Sequence, residues 1–262
     1  MKGLSVLKNI IWAFSIVICL AALVVGFFFS AFTKYELPDE GQVQMEEESP
    51  QVATGTLNKL EETADGGQSY LDSLTFLCDS TLIGIRDYGL LSGGTATNQV
   101  WGSPAGNIPV TDMADPRLRM PDGTEMSASD AVAANKPSIL VISLGMDSLQ
   151  RLERTEFEAN YSSLVTTIQA KSPSTRIVLC GLTSITSAYS GADGLTVEMV
   201  NTAEGWIQNV CRATGVYYAD VTDPIKDTSG TLLSDYAGVN NKALNTAGIS
   251  KVLEYLRCHM VP

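Results

Sequence analysis

The chain has 262 residues, with 17 Lys and Arg against 29 Asp and Glu, a formal net charge of −12 and a hydrophobic share of 45%. That length suffices for one mid-sized domain with a full core, and the acidity excludes nucleic acid as a partner, because phosphate contacts need clustered cations. One histidine and five cysteines without CxxC spacing (19, 78, 180, 211 and 258) argue against a zinc site and for small buried thiols, and no cofactor is expected.

The first element is an uncharged apolar run over residues 9–33, preceded by Lys2 and Lys8 and followed by Glu36, Asp39, Glu40 and Glu46 to Glu48. About 25 residues at roughly 1.5 Å each cross a bilayer. The positive flank places residues 1–8 inside the cell, so the body is expected outside the cytoplasm on a single-pass anchor in the cell membrane. A cleaved signal peptide is the rival; the run is longer than a usual signal core and lacks an A-x-A site. Residues 34–70 are acidic and poor in large apolar side chains, the composition of a flexible stalk.

From residue 71 to 262 the pattern is that of a folded domain. Short apolar runs, "SLTFLCD" (73–79), "SILVISLG" (138–145), "RIVLCGL" (176–182) and "GVYYADV" (215–221), read as strands. Between them, Phe157, Tyr161, Leu164, Val165 and Ile168 share one helical face, as do Val197, Val200, Ile207, Val210 and Cys211, with Gly215 as a helix stop. Strands alternating with helices predict an α/β fold with a parallel sheet covered on both faces. Ligands in such sheets bind beyond the carboxyl ends of the strands, where "CDS", "LGMD" and the loop after "YYADV" fall. A serine at the turn from strand to helix presents its hydroxyl there, although Ser and Asp are also ordinary helix caps.

Taken together, "FLCDSTLIG" (76–84), "LGMDS" (144–148) and "NNKALNTAG" (240–248) resemble the blocks of the SGNH (GDSL-type) hydrolases, written FxGDSxTxG, LGxND and DGxHLNxxG. The resemblance extends over about 71–258 and implies a three-layer α/β/α, flavodoxin-like domain that removes acyl groups from lipids or carbohydrates. It also assigns positions. Ser80 stands at the nucleophile, and Gly106 or Gly102 of "QVWGSPAGN" stands where an oxyanion amide is expected. Asp147 replaces the family's Asn, Asn240 its Asp and Ala243 its His.

These replacements remove the usual chemistry. A serine hydroxyl needs a base, and losing it costs on the order of 10⁴ to 10⁶ in rate. Losing an oxyanion donor costs roughly 10² to 10³, and a carboxylate at residue 147 would also repel the forming oxyanion, unless it merely caps the loop. His259 lies beyond the closing helix, some 20 Å from Ala243 along its axis. Asp235 and Lys242 are the remaining proton acceptors in the loop. The expectation is a membrane-anchored, catalytically impaired relative that binds an acyl-ester or carbohydrate ligand of the cell envelope, or a protein partner. A slow esterase using Ser80 with a nonstandard base, and a purely structural component, stand as alternatives.

Overall fold

The computed structural model describes residues 54–262, except 109–111, 148 and 152. The expected membrane span (9–33) and most of the expected stalk lie outside the described residues. Among the described residues, no helix is long and apolar enough to cross a membrane.

Six parallel strands form the central sheet: β1 (Asn58–Lys59), β2 (Leu74–Cys78), β3 (Val100–Trp101), β6 (Ile139–Ser143), β7 (Arg176–Cys180) and β8 (Tyr217–Ala219), in the order β1-β8-β7-β6-β2-β3. Outside it, β4 (Arg117–Arg119) and β5 (Glu125–Ser127) pair as an antiparallel ribbon. Every residue of β6 is buried, and β2 is buried at all but Thr75, as expected of strands covered on both faces.

Alternation along the strands divides the core. Leu77, Leu140, Ile142 and Leu179 face one cluster, with α3 (Ala128–Asn135), α4 (Arg154–Lys171) and α5 (Val197–Thr214). Phe76, Val141, Val178 and Cys180 face the other, with α1 (Gly67–Leu71), α2 (Gly84–Asp87) and α6 (Thr246–Arg257). The architecture is therefore α/β/α. In α4 the buried residues are Phe157, Tyr161, Leu164, Val165 and Ile168, the stripe that the spacing predicts. Each contributes roughly 1.5–3 kcal/mol by leaving water. Thr196 caps α5 by accepting from the Met199 amide at 3.2 Å, and Gly215 ends it in the left-handed conformation at φ +74°.

Two boundaries differ from the sequence reading. The folded unit begins before residue 71: β1 pairs with β8, and Leu60 is buried. Two-residue strands and one-turn helices are too short for periodicity to register, so residues 58–70 read as stalk. The helix expected directly after Ser80 is instead a turn over 80–83 leading into the short α2. Cys78, Cys180 and Cys211 are buried free thiols, and Cys258 is half-buried and free.

Candidate functional site

Ser80 follows β2 by two residues, and Asp147 follows β6 by four, so the adjacency of the two strands brings them to one point beyond the sheet's carboxyl edge. There the Asp147 carboxylate is almost fully engaged. Its Oδ2 accepts from the Ser80 amide at 3.1 Å and from the Ile108 amide at 3.1 Å. Its Oδ1 accepts from the Ser80 hydroxyl. Two converging backbone amides beside a serine hydroxyl are the donors that would stabilise an oxyanion in acyl transfer. Here they hold an anion supplied by the chain itself.

The loop that carries Asp147 is set by two further contacts. Gly145 adopts φ +127°, and a Cβ there would lie 2.9 Å from the Phe157 ring. Asp79, 2% exposed, accepts from the Met146 amide through Oδ2 at 3.0 Å. Its Oδ1 accepts from the Thr81 amide at 3.0 Å and the Thr81 hydroxyl at 2.6 Å. Asp79 thus staples the β2 turn to the β6 turn. Burial, and then the neighbouring Asp147 charge, push its carboxyl up to about 7, against the lowering effect of the bonds from Thr81 and Met146.

Gly106 does not reach this crevice through its amide, which donates to the Ser103 carbonyl at 3.0 Å and closes a turn. Gly102, at the end of β3, forms a bridge with Arg119, and its Cα packs beside Ile83. The second crevice amide belongs to Ile108. Sequence reading could not find it, because a backbone donor leaves no mark on residue type.

The loop before α6 places the two remaining positions. Leu244 donates to the Thr81 carbonyl at 3.4 Å, so the 240–244 turn lies against the Ser80 turn. Within it, Asn240 Oδ1 accepts from the Lys242 amide at 3.1 Å and the Ala243 amide at 2.9 Å, which occupies it inside its own turn. Ala243 offers a methyl group where the resemblance places an imidazole. Lys242 Nζ lies 3.8 Å from Asp193 Oδ2. Asp235 is exposed on the turn Ser234–Tyr236. His259 sits past the end of α6, stacked on Tyr255 with ring centroids 3.8 Å apart and Nδ1 2.9 Å from the Tyr255 carbonyl. Twelve helical residues, about 18 Å, separate it from the loop.

Asn245 explains why the closing block is so recognisable. Its Oδ1 caps α6 at the Gly248 amide (2.9 Å), while its Nδ2 donates to the carbonyls of Asp235 (2.8 Å) and Ala237 (3.0 Å). A side chain on Gly248 would meet the Tyr236 carbonyl at 2.5 Å. "LNTAG" is thus the hinge that fixes the loop over Ser80.

A serine at a strand-to-turn junction, two crevice amides and a three-layer sheet define the SGNH-type class of acyl hydrolase folds. The family model for the GDSL-like lipase/acylhydrolase family matches residues 104–240, just over half of the chain, and the chain belongs to that family. Asp147 and Asn240 fall within the match, whereas Ser80 and Ala243 lie outside it. Similar solved structures include a carbohydrate esterase family 3 protein from Talaromyces cellulolyticus, 17% identical with a TM-score of 0.43, covering 70% of this chain and 92% of that one. A DUF4886 family protein from Bacteroides uniformis is 10% identical with a TM-score of 0.46, covering 71% of this chain and 82% of its own. An active site mutant of a family two carbohydrate esterase from Clostridium thermocellum is 13% identical, TM-score 0.46, with coverages of 76% and 63%. No curated protein matches the sequence.

Proposed function

We propose that this GDSL-family chain is a membrane-anchored, extracytoplasmic binding protein that holds a cell-envelope saccharide, acylated or not, beside a crevice that no longer hydrolyses esters. One observation carries the reading: the Asp147 carboxylate accepts from both the Ser80 and the Ile108 amide. An ester carbonyl needs those two donors as it becomes an oxyanion, and a bound carboxylate both occupies and repels that position. Ala243 and Asn240 supply neither base nor orienting charge, which accords with the same loss. The apolar run 9–33 and its flanking charges support the anchor and its orientation.

Fluorophosphonate labelling of the purified chain tests the claim, with p-nitrophenyl acetate turnover as a second readout. Neither labelling of Ser80 nor turnover abolished by Ser80→Ala is expected. Either result would overturn it.

A second reading rests on the hydrogen bond from the Ser80 hydroxyl to Asp147. In a slow esterase, Asp147 would take the Ser80 proton as Oγ attacks the ester carbonyl and return it to the departing alcohol. Water, giving its proton to the same carboxylate, would then cleave the acyl-Ser80 ester to the free acid and Ser80. The same carboxylate would have to leave the Ser80 and Ile108 amides for the oxyanion to enter. That conflict places this reading second. Its signature is slow labelling of Ser80 that disappears in Asp147→Ala.

A further inference from the structure

Beside the Ser80 crevice, a cavity of about 470 Å³ opens over the end of β3. Gly106 lines it two residues before Ile108, whose amide holds Asp147, and Gly102 lines it where its backbone approaches Ile83. The loop after β3 thus borders the cavity at Gly102 and Gly106 and reaches the crevice at Ile108. A second cavity of about 370 Å³ shares Asn98, Met120 and Pro121 with the first, and the two make one groove.

The charge of this lining is opposite to that of the protein. In a chain of net charge −12, the first cavity is lined by Arg86 and Arg119 and by no Asp or Glu. Thr95, Asn98 and Ser103 add neutral polar groups. Arg86 binds Asp87 through Nε at 3.0 Å, so among the described residues its two terminal nitrogens carry no bond. Arg119 gives one terminal nitrogen to Glu125 at 3.1 Å, but Glu125 also accepts from Arg117 at 3.0 Å. One carboxylate thus faces two guanidiniums across β4 and β5, with Asp122 in the turn between the strands. Among the described residues that line the two cavities, the one acid is Asp122, in the second.

We infer that this groove binds an anionic saccharide, with a carboxylate or phosphate of one unit held by Arg86 and Arg119 in the first cavity and neutral units running toward the second. Planar guanidinium forks match the oxygen geometry of either anion. The inference rests on the saccharide-binding reading above and adds the charge of the ligand and the residues that recognise it.

Isothermal titration of the full chain in neutral detergent tests it, using trigalacturonate, galactotriose 6-phosphate and the neutral trimer galactotriose. At least one anion is expected to bind about tenfold more tightly than galactotriose, and Arg86→Gln or Arg119→Gln to remove about tenfold of that preference. Which anion binds identifies the carboxylate or the phosphate source. Both arginine side chains are more than a third exposed, so these variants leave no buried hole. Equal binding of charged and neutral probes, no binding of either anion, or preference unaltered in both variants would overturn the inference. Hydrolysis dependent on Ser80 would sink the non-hydrolytic reading alone, since charge preference in the titration would stand.

Discussion

The Asp147 carboxylate accepts hydrogen bonds from both the amide and the hydroxyl of Ser80, so an acceptor fills the place beside the nucleophile where an oxyanion would need donors. A single exchange of oxygen for nitrogen separates the two situations. An asparagine at residue 147 carries no charge and could turn its NH₂ into the crevice as a third donor, leaving the Ser80 and Ile108 amides to the oxyanion.

Restoring the chemistry therefore needs three changes together. The variant Ala243→His, Asn240→Asp, Asp147→Asn is expected to hydrolyse p-nitrophenyl acetate at least about 10²-fold faster than the unaltered chain. Ala243 is partly exposed and the next residue bonds to Thr81, so an imidazole there need not enter the core and starts from a turn beside Ser80. An aspartate at residue 240 keeps the acceptor that the Lys242 and Ala243 amides use. Folded triple variant without measurable turnover would show that the crevice has been remodelled beyond these positions.

The contribution of Asp79 to stability should fall as pH rises from about 4 to about 7, whereas carboxyls held down by hydrogen bonds, such as Asp72 and Asp227, act the other way. Asp79 is raised to about 7 in the folded chain and titrates near 4 when unfolded. In that window the unfolded chain releases the proton while the folded one keeps it, so the slope is negative, at most about 1.4 kcal/mol per pH unit from this group. Glu204, raised chiefly by burial, acts in the same direction. Asp147→Asn removes the like charge and should flatten the slope. Urea unfolding of the unaltered chain and of the variant at pH 4.5 and 7.5 isolates the contribution by difference; an equal slope in the variant contradicts the assignment.

Asn245→Asp separates the two tasks of the closing block. The aspartate still caps α6 at the Gly248 amide but cannot donate to the carbonyls of Asp235 and Ala237. A loss of about 1–3 kcal/mol is expected from the two abandoned bonds, and Asn245→Ala should lose more by adding the cap. Denaturation midpoints of the two variants decide it; equal destabilisation would mean that the donor bonds contribute nothing.

Gly145→Ala should cost about 2 kcal/mol or more, because it forces a side chain into positive φ against the Phe157 ring. His259→Ala, in contrast, should cost no more than about 1.5 kcal/mol, the value of its stacking on Tyr255, and should leave any rescued activity of the triple variant unchanged. Dependence of that activity on His259 would mean that the loop and the helix end meet.

Much of this protein is written in residue type. The strand runs follow from burial on both faces, which leaves a continuous apolar stretch, and the stripes on α4 and α5 follow a 3.6-residue period. Ser80, Asp147, Asn240 and Ala243 could be placed because Asn245, Gly248 and the strand ends need particular side chains for their backbone geometry. The same sequence shows that no imidazole stands in the loop. Tertiary structure alone decided what surrounds Ser80. Ile108 contributes a backbone amide, which carries no sequence signature, and Gly106 spends its own amide on Ser103. The charge of the groove was equally hidden, for Arg86 and Arg119 lie far apart in sequence and share a cavity only through the pairing of β2 with β3 and the bridge from Gly102 to Arg119. Periodicity reports which face a residue turns inward; which donors converge on one carboxylate depends on strand order, and that is fixed only when the sheet closes.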